Sequence, residues 1–321
     1  LRLLMALALF ALAAEGAMRV LRPTPPIQVV RERAPVPDLD GVPMWRHDAP
    51  RGNEACLERH PDARVVAFSG DSIFFGIEVP WPQAMTAVTQ AILDAAHGPG
   101  AWCVLNLSQA GFSFDQKRAW LRSVLARRRV DLVYWEVWPN DAARYVRVGD
   151  SIYNLAGIDP AEPEPLNRLG LPSALDRALL RASRFYEYAM LLMVPRFDLT
   201  PEWLRDVYAP RLAALRDEVA AAGAALVLVL PPPLDRPFAP RGAGRDDARM
   251  LAGVVERLDP GAVFLGEELG RLGVDHLAVR LDPCCHYNAE GHRVIGTLFA
   301  ERLLARWPTA PAAPAASPGS P

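Results

Sequence analysis

The stretch that most constrains this chain is Val65-Val66-Ala67-Phe68-Ser69-Gly70-Asp71-Ser72. The apolar run reads as a buried strand, and Gly-Asp-Ser after it reads as a sharp turn into a helix-like segment. A strand that delivers a serine onto such a turn is one of the few ways a fold presents a hydroxyl as a nucleophile. Three further pieces follow in a workable order: Gly111 after a second strand, Asn140-Asp141 after a third, and His286 near the C-terminus.

Strand and helix patterns alternate between residues 61 and 307. Short apolar runs at Arg64–Phe68, Trp102–Leu107, Asp131–Val137, Ala224–Leu230 and Ala262–Leu265 have the character of parallel strands covered on both faces. Helical periodicity marks Trp81–Ala96, Phe114–Arg128, Pro201–Ala222 (kinked or divided at Pro210), Arg245–Leu258 and Ala289–Arg306. This alternation implies a five-stranded, mainly parallel sheet in a three-layer α/β domain. Ligands bind such sheets at the carboxyl ends of strands, where Ser72, Gly111 and Asn140 all fall. Residues 142–200 form a helical insertion. Within it Leu175–Met193 reads as an apolar helix interrupted by Arg177, Arg181, Arg184 and Glu187, which packs on the core or closes over the site as a lid.

The ends differ from this core. Residues 1–21 carry Arg2 before the apolar run Leu3–Ala14, ended by Glu15, and read as a signal peptide or signal anchor. An exported protein is expected, periplasmic, extracellular or held at the cell membrane by this segment. Residues 22–60 are rich in Pro and Arg and read as a linker or wrapping arm, and 308–321 as a disordered Pro/Ala tail. The net charge of −2 and the lack of a long basic run exclude a nucleic-acid footprint. Lys117 is the only lysine; with abundant Ala and Pro, the arginine bias suggests a GC-rich bacterial genome.

Ser72 needs a base, and histidine is the usual one. Of six histidines, His286 sits in a loop just before the last helix, with Asp282 four residues upstream to orient its ring, whereas His292 lies inside that helix as a structural or surface residue. The backbone N–H of Ser72, the backbone N–H of Gly111 and the side-chain amide of Asn140 are candidate donors to an oxyanion. A glycine at 111 permits close approach and an unusual backbone angle. A second Gly-Asp-Ser, Gly149-Asp150-Ser151, follows Asn140-Asp141 without a buried strand before it, and reads as an ordinary turn.

From about Arg64 to Arg306 the chain resembles the SGNH (GDSL-type) hydrolases. The first block is Phe68-Ser69-Gly70-Asp71-Ser72-Ile73-Phe74-Phe75-Gly76, the second Asn106-Leu107-Ser108-Gln109-Ala110-Gly111, the third Trp138-Pro139-Asn140-Asp141, and the last Asp282 to His286. The resemblance implies a flavodoxin-like α/β/α sandwich, with Ser72 as nucleophile, Gly111 and Asn140 as oxyanion donors, and His286 as base with its acid. Two positions depart from the family. Trp138 stands where the third block opens with glycine, so its indole lines the pocket or joins the core, as does Trp81. Pro283 holds the place of the acid, three residues before the histidine. Either a bulge in the loop brings Asp282 to the ring, or a backbone carbonyl orients His286 in a Ser–His dyad; a carboxylate is the common orienter.

No zinc motif, phosphate-binding Gly-Lys loop or Gly-x-Ser-x-Gly elbow occurs, and no cofactor is expected. Four cysteines, Cys56, Cys103, Cys284 and Cys285, fit an exported protein with a disulfide. An adjacent 284–285 bond is strained, so the expectation is a clamp from one of these to Cys56, with Cys103 a buried thiol. The expected activity is cleavage of an ester, an acyl or O-acetyl group on a small molecule, lipid or cell-envelope glycan, through an acyl-serine. Acyl transfer to a polysaccharide would use the same residues. A non-catalytic glycan-binding or assembly module with a degenerate site is the reading from another class.

Overall fold

The computed structural model describes residues 2–21, 34–46, 54–77, 79–148, 151–154, 166–193, 200–235, 237–238, 246–282 and 284–309. They fall into two units, one made of residues 1–48 and 142–198, the other of 49–141 and 199–321.

The second unit is built on a five-stranded sheet: β1 (Arg64–Ser69), β2 (Trp102–Asn106), β3 (Leu132–Glu136), β4 (Ala225–Leu230) and β5 (Val263–Phe264). The strand order is β2-β1-β3-β4-β5 and every pairing is parallel. This is the flavodoxin-like order, with its switch point between β1 and β3. Register pairs Phe68 with Asn106 and Ser69 with Trp135, so the exits of the three strands that carry Ser72, Gly111 and Asn140 lie side by side.

Alternating side chains divide the core into two layers, as strand geometry requires. Val65, Ala67, Cys103, Leu105, Val133, Trp135 and Leu228 face one way and meet Phe114, Leu121, Leu212, Leu215, Leu251 and Val255 from helices Phe114–Leu125, Ala209–Ala221 and Asp246–Leu258, with Tyr208 from the turn just before the second of these. Val66, Phe68, Val104, Leu132, Tyr134 and Val229 face the other and meet Met85, Leu93, Ile295, Leu298, Phe299 and Leu303 from helices Met85–His97 and Ala289–Arg306. Phe299 is the centre of an aromatic cluster, 4.7 Å from Tyr134, 5.0 Å from Phe68 and 6.0 Å from Phe74 between ring centroids. The stretch expected at 201–222 is divided just before Pro210: residues Leu204–Tyr208 form a π turn between Pro201–Trp203 and Ala209–Ala221. A wider turn lets the helix continue past a proline that lacks its N–H.

The cysteines pair differently from expectation. Cys56 is joined to Cys103, not to the loop before the last helix. The physical reason is facing: Cys103 projects from β2 to the layer where helix Glu54–Arg59 sets Cys56. Cys284 and Cys285 are joined to each other at a tight bend.

The first unit holds the N-terminal helix Arg2–Leu21, two antiparallel hairpins, and helices Ser173–Ala182 and Arg184–Leu192. Part of the expected linker is a hairpin: Ala34–Leu39 pairs with Val42–Arg46 around Asp40-Gly41, both at positive φ. Asp-Gly suits such a two-residue turn. Trp45 is buried there, 4.7 Å from Tyr145 in edge-to-face contact. Residues 22–33, and the tail beyond 309, lie outside the described residues. Ser151 opens one strand of the second hairpin, Tyr145–Val148 with Ser151–Asn154.

The single helix expected at 175–193 is broken at Ser183, whose backbone is extended and whose hydroxyl caps the Tyr186 amide. The break is stabilised from the N-terminal helix. Glu15 accepts hydrogen bonds from the Arg184 and Phe185 amides at 3.0 and 2.9 Å and from the Ser183 hydroxyl at 2.8 Å. Arg19, paired with Glu15, donates to the Ala182 carbonyl at 3.0 Å. An acid thus meets the start of one helix and a base the end of the other, as the helix dipoles favour.

Two outcomes are expected. Glu15→Ala, which strips this cap, should destabilise the first unit by about 1 kcal/mol, seen as earlier loss of helicity in urea and faster proteolysis near Ser183. Lys117 is fully buried, so an amine-reactive reagent should leave it unmodified in the native protein and modify it in denaturant, as read by peptide mass spectrometry.

Candidate active site

The β1 exit is shaped by what Gly70 makes room for. A Cβ at residue 70 would sit 2.3 Å from Glu136 Oε2 and 2.8 Å from the Phe74 Cβ. With no side chain there, the turn closes down on Glu136 and enters the short helix Ser72–Phe75. Asp71 caps that helix, its Oδ1 accepting from the Ile73 amide at 3.1 Å. Asn106, at the end of β2, donates to the Phe74 carbonyl at 3.0 Å, and the Leu107 amide to the Phe68 carbonyl at 2.7 Å, so the second block is fastened to the first. Gly111 follows in this loop at φ 80°, a backbone angle that favours glycine.

Ser72 is partly exposed, and its hydroxyl lies 2.8 Å from His286 Nε2. On the far side of the ring, Nδ1 is hydrogen-bonded to Asp282 Oδ2. The network assigns the tautomer: Nδ1–H donates to the carboxylate and Nε2 accepts from the serine. The four-residue spacing from Asp282 to His286 is absorbed by the other carboxylate oxygen. Oδ1 accepts from the Cys284, Cys285 and His286 amides at 2.9, 3.0 and 3.3 Å, which folds the segment into a bend. The Leu281 amide closes the loop on the His286 carbonyl at 2.7 Å. Burial works to raise the Asp282 pKa, but the bonds from the His286 ring and from the Cys285 and His286 amides outweigh it and hold it below the ordinary value. Asn288 then caps the last helix through the Gly291 amide at 3.0 Å.

Asn140 is exposed, and its Nδ2 donates to Asp71 Oδ2 at 2.8 Å. That bond fixes the amide plane beside the Ser72 turn. Its neighbour Asp141 points inward, paired with Lys117 and accepting from the Tyr208 hydroxyl. Burial raises the Asp141 pKa and the Lys117 charge opposes the rise. Lys117 also donates to the Glu136 carbonyl at 2.7 Å.

The structure therefore brings Ser72, His286, Asp282 and Asn140 into one hydrogen-bonded neighbourhood, with Gly111 in the loop fastened to it. Ser151 belongs to the other unit. His292 is buried, its Nδ1 accepting from the Met85 amide at 3.3 Å. Trp138 is half-buried and packs against the Phe68 layer of the core. Asp282, Cys285 and His286 hold potential ligand atoms within 4.8 Å of one another, but they are the loop and ring just described. Sequence reasoning missed Glu136 and Lys117. Each left a signal, a lone charge inside an otherwise buried strand or helix face.

No family model matches the chain. No curated protein matches it either. Among solved structures it is similar to a lipase/acylhydrolase from Enterococcus faecalis, at 14% identity over 76% of this chain and 96% of that one, with a TM-score of 0.47. It is also similar to the psychrotrophic esterase EstA from Pseudoalteromonas sp., at 13% identity over 76% and 99%, TM-score 0.43. A third is Axe2, an acetylxylan esterase from Geobacillus stearothermophilus, at 16% identity over 75% and 93%, TM-score 0.39.

A group with a depressed folded-state pKa stabilises above its unfolded value and loses that contribution as pH falls. For Asp282 the contribution is complete above about pH 4 and disappears below it. Protection of the Cys285 and His286 amides from hydrogen exchange should be steady from neutral pH down to that point and then fall. Asp282→Ala should lack this protection at every pH.

Proposed function

We propose that this chain is a serine esterase of the SGNH type, cleaving an acyl or O-acetyl ester through an acyl-serine. The observation that carries the reading is the unbroken line from Ser72 Oγ through the His286 ring to Asp282. In this reading Ser72 Oγ attacks the ester carbonyl carbon while its proton passes to His286 Nε2. Asp282 holds the ring and stabilises the imidazolium. The negative oxygen of the tetrahedral intermediate is met by the Ser72 and Gly111 amides and the Asn140 side chain. As the intermediate collapses, His286 returns the proton to the leaving alkoxide and an alcohol departs. Water, activated by the same histidine, then attacks the acyl-serine and releases the carboxylic acid.

Both departures that suggested a degenerate binding module are accommodated: the Asp282 bend absorbs the loop spacing, and Asn140 holds its place after Trp138-Pro139. We place the protein outside the cytoplasm, a reading supported by the buried Cys56–Cys103 pair. A cell-envelope lipid or glycan ester is the substrate class that this location suggests. The proposed membrane attachment is peripheral, through Met5, Leu9, Phe10 and Leu12, which the N-terminal helix exposes. No helix among the described residues is long and apolar enough to cross a membrane.

The test is hydrolysis of p-nitrophenyl acetate by the full chain. Ser72→Ala and Asp282→Ala should lower kcat by about 10³-fold or more, Asn140→Ala by about 10²-fold, and Ser151→Ala should match wild type. Loss with Ser151→Ala but not Ser72→Ala would overturn the assignment. Release that rises when an acceptor glycan is added, with the acyl group recovered on the glycan, would replace hydrolysis by transfer at the same serine.

A further inference from the structure

β3 is buried from end to end, yet it closes on a carboxyl group. Leu132 and Tyr134 place the Glu136 side chain, by alternation, on the sheet face that lies beneath the nucleophile turn. There Oε2 accepts from two backbone amides that flank Ser72, that of Asp71 at 3.2 Å and that of Phe74 at 3.1 Å. No backbone group of a neighbouring strand takes either bond. Gly70 has no side chain because Glu136 occupies the space that one would fill.

We propose that Glu136 is the positioning residue of the nucleophile turn, seating the Asp71 and Phe74 amides so that Asp71 in turn aligns Ser72 and Asn140. Asp71 is the relay. It is itself buried, its Oδ2 holds the Asn140 amide at 2.8 Å, and its Oδ1 faces the Ser72 hydroxyl at 3.4 Å. If the seat shifts, both the nucleophile and an oxyanion donor move with it, though neither touches Glu136. The inference rests on the reading of Ser72 as the nucleophile.

The charge state of the seat follows from its surroundings. Burial first, and then the adjacent Asp71 carboxylate, push the Glu136 pKa well up; the Lys117 charge only partly opposes them. These surroundings favour the uncharged form of the Glu136 carboxyl.

The experiment compares wild type, Glu136→Gln, Glu136→Ala and Ser72→Ala, measuring kcat and KM for p-nitrophenyl acetate across pH, thermal unfolding, and the infrared C=O stretch of protonated carboxyls. Gln offers one carbonyl oxygen to both amides and carries no charge. It should rescue function, with kcat within about threefold of wild type and the acid limb of the pH profile unmoved. Glu136→Ala should lower kcat by about 10²-fold with KM little changed. The acid band should be present in wild type and Ser72→Ala at neutral pH and absent in Glu136→Gln. Wild-type kcat in Glu136→Ala would overturn the proposal. So would a pH limb displaced in Glu136→Gln, or identical infrared spectra for wild type and Glu136→Gln. A folded wild type that shows the band but turns over no ester, with Ser72→Ala equally inert, would reject the esterase reading and leave the uncharged seat standing.

Discussion

Two carboxyl groups, Glu136 and Asp71, are buried next to each other beneath Ser72, and the pair could not both be charged without a large electrostatic cost. The structure resolves this by dividing the roles. Burial pushes the pKa of Glu136 well up, and its Oε2 accepts two backbone amides. Asp71 accepts from the Ile73 amide and the Asn140 side chain. The only lysine completes the arrangement, binding Asp141 and the Glu136 carbonyl while lying 4.9 Å from the centre of the Trp135 ring. Removing one member of such a buried ion pair typically costs about 3–5 kcal/mol, because the partner is left charged in a dry interior. The third block is thus tied down from below by a charge network whose members have no contact with solvent.

The histidine loop is organised on a different principle. Asp282 is not buried to the same degree, and its two oxygens divide the work: one gathers three successive amides, the other takes the ring N–H. A carboxylate that satisfies a bend and orients a ring makes the ring position a property of the backbone rather than of a single side-chain contact. The loop ends in the Asn288 cap of the last helix, and that helix carries Phe299 into the aromatic cluster with Phe68 of β1. His286 and Ser72 are therefore referred to the same rigid layer although 214 residues separate them along the chain.

Much of this was legible in the sequence where local pattern and tertiary role coincide. The five apolar runs became the five strands, and Ala289–Arg306 became a helix with those bounds, because burial on both faces leaves little ambiguity. Ser72, Asn140 and His286 could be named from turns that follow buried strands or precede a capped helix. The misreadings have physical causes. Residues 34–46 were masked as a linker by Pro35, Pro37 and Pro43, which are tolerated in an isolated two-stranded hairpin but not in the middle of a large sheet. The helix break at Ser183 depends on Glu15, 168 residues away. The cysteine pairing depended on which face of β2 carries Cys103, which spacing does not encode. Glu136 was passed over because a lone charge in an apolar strand does not name its partner; only the register of β3 beside β1 puts it under the turn.

The switch point of the sheet explains why these groups meet. In the order β2-β1-β3 the connections from β1 leave to one side and those from β3 to the other, so a crevice opens between their carboxyl ends. A serine placed at the exit of β1 has two neighbouring strand exits beside it. The same geometry leaves the underside of the turn without strand partners, since β1 has ended and the neighbouring strands no longer supply acceptors. Backbone amides in that position must find a side chain or remain unpaired in a dry core, at a cost of about 1–3 kcal/mol each. Glu136 meets this requirement of the fold, and the Asp71 relay then couples it to Ser72 and Asn140. In this chain the acceptor that the sheet topology demands is also the side chain that holds the Asp71 amide, and Asp71 in turn holds Asn140.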